Sequence, residues 1–97
     1  MYQLVITHEL PPGGLPAMLA YYHAVDEARA KANPAYKPPR RYATVFGSGF
    51  QVVSEHDLET LPPDMGAYMQ NAQTDIEKSY EKLIVPGRSE IRLLKQL

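Results

Sequence analysis

A chain of 97 residues with 10 Lys and Arg against 11 Asp and Glu allows one domain, 1–97, and offers no basic field to attract nucleic acid. The absence of cysteine excludes a disulfide framework, a thiolate-held metal and a thiol nucleophile. No apolar run is long enough to span a bilayer, and the N-terminus lacks a basic-then-apolar signal, so the expectation is a cytoplasmic protein without membrane attachment. So short a chain buries only about two thirds of its unfolded surface, which favours an oligomer.

The 9 prolines fall between periodic segments and divide the chain, because a residue without an N–H interrupts ladders and helix interiors alike. Tyr2 to Leu10 alternates and is rich in β-formers, which reads as a strand. After the loop Pro11-Pro12-Gly13-Gly14, Pro16 suits the first turn of a helix. The helix carries the stripe Leu15, Met18, Tyr22, Val25, Arg29 and Ala32, and ends at Asn33-Pro34. A Pro-rich loop over 34–40 leads to a second strand, Arg41 to Phe46, a hairpin-length turn Gly47-Ser48-Gly49, and a third strand, Phe50 to His56. A connector from Asp57 to Pro63 follows, with Asp64 as N-cap of a second helix. Met65, Met69, Ala72, Ile76, Tyr80 and Leu83 mark that helix, and Pro86-Gly87 stops it. Ser89 to Leu97 alternates as the last strand.

The order βαββαβ predicts an α+β, ferredoxin-like fold: a four-stranded antiparallel sheet, strand order 4-1-3-2, with both helices on one face. By strand period, Leu4, Ile6, Ala43, Val45, Phe50, Val52, Ile91 and Leu93 point to the helices. The other face carries Val5, Tyr42, Phe46, Val53 and Leu94 among polar residues, too apolar a patch to stay wet in so small a protein. A second copy packed sheet to sheet covers it, with Glu55 and Arg92 placed to pair within or across that interface; an open sheet with scattered apolar residues is the simpler alternative.

The segment RYATVFGSGFQVVSEHDLETL, with its aromatic-Gly hairpin (Phe46, Gly47, Gly49, Phe50) and its acidic, Leu-containing connector (Asp57, Leu58, Glu59, Leu61) into a long second helix, resembles the dimeric α/β-barrel superfamily. The nearest groups are the NIPSNAP-like and antibiotic-biosynthesis-monooxygenase-like proteins. The resemblance covers nearly the whole chain by pattern. It implies a homodimer whose two sheets close into one barrel, and in many members a ligand cavity between sheet and helices.

The chemistry open to the chain is that of histidine, tyrosine and carboxylates. His8 and His56 end their strands on the helix-covered face, at opposite ends of the cavity, and either serves as a proton carrier or as a half-solvated strand end. His23 reads as a solvated helix residue beside Glu27. Of the 7 tyrosines, Tyr22 lies on the buried stripe and needs a hydroxyl partner, while Tyr68 opens the second helix. Lys37, Arg40 and Arg41 form one basic cluster, with Arg41 placed to hold an anionic ligand at the cavity rim or to be solvated. No metal motif is present, and no phosphate loop follows Gly13-Gly14. Haem-degrading relatives use a histidine on the second helix, and this second helix has none, so no cofactor is expected. RNA-recognition domains share the topology but need exposed aromatics and a basic residue on the third strand, where Gly47 to Val53 offers Phe50 alone.

Two functions stay open. One is a cofactor-independent enzyme of the monooxygenase or cyclase type, acting on a small aromatic or polyketide-like substrate through His8, Tyr22 and His56, with Tyr68 and Arg41 binding. The absence of tryptophan counts against the monooxygenase activity. The other is a non-catalytic dimeric barrel that binds a ligand or a partner protein.

Overall fold

The first strand, β1 (Tyr2–Glu9), turns Leu4 and His8 into the interior, 4% and 2% exposed. It lies mid-sheet, antiparallel to both β3 (Gln51–Leu58) and β4 (Ser89–Lys95). The edge strand β2 (Arg40–Ala43) pairs with β3, giving the order β2-β3-β1-β4. This computed structural model describes residues 1–47, 49–80 and 82–97, and of residues 72–77 and 79 the backbone alone. The fold is α+β and ferredoxin-like, as the order of elements predicts.

Helix α1 (Leu15–Ala32) starts at Leu15, one residue before the predicted Pro16, and buries Met18 and Tyr22, one turn apart on its inner face. Helix α2 (Met65–Tyr80) is capped by Asp64, whose Oδ1 accepts the Ala67 N–H at 3.0 Å. It ends at Tyr80 rather than running on to Leu83. The Tyr80 carbonyl accepts the N–H groups of both Leu83 and Ile84, and this turn closes the helix before the Pro86-Gly87 break. The expected stripe residues Ala72 and Ile76, and Ser48 of the hairpin turn, lie outside the described side chains and residues. The core joins Leu10, Met18, Tyr22 and Val52, with Leu15, Tyr21, Tyr80, Leu83 and Ile84 packed around them.

The boundaries around the β2–β3 turn and at the end of β3 depart furthest in consequence from those predicted. Strand β2 ends at Ala43, not Phe46. The Thr44 N–H still donates to the Gln51 carbonyl at 2.9 Å, but the Gln51 N–H goes to the Thr44 hydroxyl at 3.0 Å in place of the reciprocal backbone bond, and Gly47 and Gly49 then take φ of 146° and 84°, a path open to glycine. Val45, expected under the helices, and Phe46, expected on the open face, therefore stand outside the strand, each 99% exposed. Phe50 precedes β3 and is 40% exposed instead of buried under the helices. At its other end β3 runs to Leu58, because β1 supplies partners as far as Tyr2↔Leu58 and so draws Asp57 and Leu58 out of the connector.

Pairing in register sorts the two faces. Leu4, Ile6 and His8 share the helix side with Val52, Ser54 and His56, with Ser89, Ile91 and Leu93, and with Arg41 and Ala43. The open side carries Gln3, Val5, Thr7 and Glu9, then Val53, Glu55 and Asp57, Glu90, Arg92 and Leu94, and Arg40 and Tyr42. The chain exposes 6990 Å², where a folded monomer of its mass exposes about 5,600 Å². Its radius of gyration is 13.9 Å, against about 12.5 Å for a chain of this length.

Candidate functional site

The space between helices and sheet holds two polar clusters joined by a row of rings. At one end, β1 carries His8 into the interior, where its Nδ1 is hydrogen-bonded to Ser89 Oγ at 2.7 Å across the β1–β4 pair. The imidazole lies against the Tyr80 ring, centroids 4.9 Å apart. Burial holds the His8 pKa down at about 4, so the ring is neutral at pH 7. Burial also pushes the Tyr80 phenol up to about 12.

The row continues from Tyr80 to Tyr22, centroids 6.3 Å apart, with Tyr21 beside both. Over the Tyr22 ring, at 4.2 Å from its centroid, sits the Arg41 guanidinium. Arg41 donates two hydrogen bonds to Asp26, at 2.6 and 2.9 Å, and the Tyr36 hydroxyl donates a third to the same carboxylate at 2.9 Å. Those donors hold the Asp26 carboxyl below the usual carboxylate range, the Arg41 bonds contributing most. Tyr22 and Asp26 are one turn apart on α1, so a single helix face presents both to β2.

Two buried polar atoms are left over. Among the described residues, neither the Tyr22 hydroxyl nor Arg41 Nε has a hydrogen-bond partner of good geometry. Tyr22 is 5% exposed, and its phenol lies beside the Ser54 side chain. Burial raises the Tyr22 pKa, while Ser54 and the Arg41 charge pull it back.

His56 follows Ser54 by two residues on the same face of β3. Desolvation and the nearby charges of Arg41 and Arg29 lower its pKa. It lines a recess of about 170 Å³ with Lys37, Pro38, Pro39, Arg40, Glu55 and Asp57. The registers His8↔Val52 and Leu4↔His56 separate the two histidines by about 13 Å along the strands. They stand at opposite ends, as the alternation of β1 and β3 implies. Tyr22 is thus brought to the His56 end, and only the ring of Tyr80 connects it to His8. Tyr68 lies in the first turn of α2, about 18 Å along that helix from Tyr80.

Of the predicted basic cluster Lys37, Arg40 and Arg41, the two arginines are already engaged. Arg41 is spent on Asp26 and Tyr22, and Arg40 binds Asp57 at 2.9 and 3.0 Å and Glu55 at 3.4 Å. Glu55 and Arg92 do not pair within the chain: Val5 stands between them in register, and Arg92 takes Glu90 at 3.2 Å instead. At the centre of the open face Val5 is 5% exposed, while Tyr42 and Leu94 at its flanks are 52% and 41% exposed. His23 is on the solvated side of α1, 3.9 Å from Glu27. Ser54, Asp26, Tyr36 and Ser89 were not singled out by sequence, and Tyr80 was read only as part of a helix stripe, because their roles depend on partners in other elements. Among the described residues no three carboxylate or imidazole groups are gathered to hold a metal ion, and no helix is long and apolar enough to cross a membrane.

The chain is similar to two solved structures along its length. Protein Atu4242 from Agrobacterium tumefaciens aligns with a TM-score of 0.67 at 16% identity, covering 100% of this chain and 94% of that one. Rv0793 from Mycobacterium tuberculosis aligns with a TM-score of 0.53 at 9% identity, covering 99% and 94%. At such identities the likeness extends to the fold alone. No protein-family model and no curated protein matches the sequence.

Proposed function

We propose that residues 1–97 form one unit that works as a homodimeric α/β barrel of the kind the sequence resembles. Its role in this reading is to bind a small molecule between helices and sheet. The dimer is supported by the surface. The 6990 Å² exposed by one copy exceeds the monomer expectation by on the order of 1,400 Å². A standard stable interface takes about 800 Å² from each partner. The open face carries Val5 and Val53 on its inner strands and the half-exposed Tyr42 and Leu94 on its edge strands, interspersed with the ion pairs Arg40–Glu55 and Arg92–Glu90, a mix of apolar and charged groups that such an interface can use.

The observation that carries the binding role is the buried, unpartnered hydroxyl of Tyr22. Leaving such a group unsatisfied costs about 1–3 kcal/mol, and a ligand oxygen or nitrogen set against it removes that cost. Ser54 beside it adds a second hydroxyl, and Met18, Val52 and the tyrosine rings supply apolar walls. That combination suits a small aromatic or apolar molecule bearing one hydrogen-bonding group.

One observation favours an enzyme of the cyclase or monooxygenase type instead: His8 is neutral at pH 7 and so is in the form that accepts a proton. Against it, His8 is 2% exposed with Nδ1 bonded to Ser89, and stands at the other end from His56. Binding without turnover fits this geometry better.

The test is a thermal-shift screen of small phenols and aromatic carbonyl compounds on the parent protein and on Tyr22→Phe. Without ligand, Tyr22→Phe is expected to be as stable as the parent or more stable by up to about 1 kcal/mol, since it deletes an unpaired group. Compounds that stabilise the parent are expected to lose their shift on the variant. Shifts of equal size on both proteins would sink the site. Turnover of any bound compound, abolished by His8→Ala, would install the catalytic reading in its place.

A further inference from the structure

Among the described residues, the buried side-chain polar atoms without a hydrogen-bond partner are the Tyr22 hydroxyl and Arg41 Nε. They belong to one stacked pair, with the Arg41 guanidinium carbon 4.2 Å from the Tyr22 ring centroid. A guanidinium seated over a phenol ring at that height carries its Nε roughly 5 Å from the phenol oxygen.

Both atoms lack the same kind of partner. Arg41 Nε donates and never accepts. Asp26 takes the two terminal nitrogens of Arg41, so it occupies the head of the guanidinium and leaves the Nε flank. The Tyr22 oxygen can accept as well as donate, but the Ser54 side chain beside it already acts on the phenol as a donor, holding its pKa down against burial. What remains there is the phenol O–H. The unmet demand is therefore for acceptors alone. Asp26 does not meet it, because its oxygens already accept from Arg41 and from the Tyr36 hydroxyl.

The charge around the pair has a sign. Arg41 and Asp26 offset one another. Arg29, three residues beyond Asp26 in α1, adds a further cation. Its charge reaches both Asp26 and His56, and at His56 it acts with Arg41 against the opposite pull of Asp26. The surplus is positive, so a negative group placed beside the Arg41 flank is favoured there and a positive one is not.

We propose that the ligand held beside Tyr22 is a small aromatic carboxylate whose two oxygens accept from the Tyr22 hydroxyl and from Arg41 Nε. This rests on the binding role put forward above, and narrows it from one hydrogen-bonding group of either kind to an anionic acceptor. Carboxylate oxygens are about 2.2 Å apart and each accepts at about 2.8 Å, a span that two donors so spaced fit. A ketone offers a single oxygen and no charge. A phenol or an amine brings another donor to a place that already has two unpaired ones. Met18, Val52 and the Tyr80 ring supply apolar contacts for the aromatic body.

The test compares benzoate, acetophenone, phenol and benzylamine, four probes of similar size, by nuclear magnetic resonance titration at pH 7. Benzoate is expected to bind at least about tenfold more tightly than acetophenone or phenol, and benzylamine not to bind. Phenol, acetophenone or benzylamine binding as tightly as benzoate would overturn the proposal. Arg41→Lys keeps a cation facing Asp26 and removes the Nε flank. It is expected to weaken benzoate about tenfold and to leave phenol unchanged. Tyr22→Phe keeps the comparison open should Arg41→Lys fold poorly, and is expected to reduce the preference for benzoate over acetophenone. Parent affinity for benzoate in both variants would remove these two donors from the site. The two levels separate cleanly. Phenol or acetophenone bound in a manner that needs the Tyr22 hydroxyl, with benzoate excluded, leaves the binding role standing and removes the carboxylate. No binding by any of the probes at millimolar concentration removes both.

Discussion

His8 is a titratable ring enclosed with no ion pair among the described residues. It is 2% exposed, bonded to Ser89 and stacked near Tyr80. Its pKa falls from 6.5 in the unfolded chain to about 4 in the folded one. Between those values the unfolded state binds a proton that the folded state refuses, so stability rises with pH across this window. The contribution of the neutral ring is complete above pH 6.5 and declines as the pH drops towards 4, by at most on the order of 3 kcal/mol. His56, lowered for the same main reason, acts in the same direction. The expected outcome is that urea unfolding of the parent weakens markedly from pH 7 to pH 4.5, and that His8→Gln weakens distinctly less. Equal losses in the two proteins would show that His8 takes its proton without opening the fold. That His8 faces the helices is readable from its alternation with Leu4 and Ile6. That its partner is Ser89, 81 residues away, is not.

The helices and strands begin where local chemistry says they should, and they end less predictably. Asp64 after Pro62-Pro63 is a start signal legible in the sequence, and its Oδ1 receives the Ala67 N–H. Asp64→Ala is expected to cost about 1 kcal/mol, read as a lower urea midpoint, with Asp64→Asn close to the parent. A midpoint unmoved by Asp64→Ala would mean that solvent caps α2 equally well. The end of β2 shows the other case. Arg41 to Phe46 keeps a strand period throughout, yet the ladder stops at Ala43. The Thr44 side chain takes over the Gln51 N–H, a choice that needs the neighbouring strand in place. The overextended reading put Val45 under the helices and Phe46 in the sheet. In the structure both stand outside the strand, each 99% exposed.

For the whole molecule, the thin core and the surplus surface point the same way. Among the described residues the enclosed side chains are Leu4, Val5, His8, Leu10, Met18, Tyr22, Val52 and Ser54, and a second copy would give the open sheet the cover it lacks. The protein is expected to sediment as a species of about twice its 10.9 kDa chain mass. Leu94→Glu is expected to shift it towards monomer while keeping the secondary structure, because Leu94 is already 41% exposed in the protomer. A Leu94→Glu protein that stays fully dimeric would move the interface off the open face. The sequence by itself determined the six elements, the strand order and the two-faced sheet. Those features follow from periods of 2 and 3.6 residues and from proline placement, all local properties of the chain. The tertiary structure alone decided which polar groups meet: His8 with Ser89, Arg41 with Asp26 and Tyr22, and the Tyr22 hydroxyl with Ser54 beside it but no well-formed hydrogen bond among the described residues. Each of those outcomes depends on residues from different elements being packed together in a dry space, where pairing is enforced by the cost of burying a polar group alone.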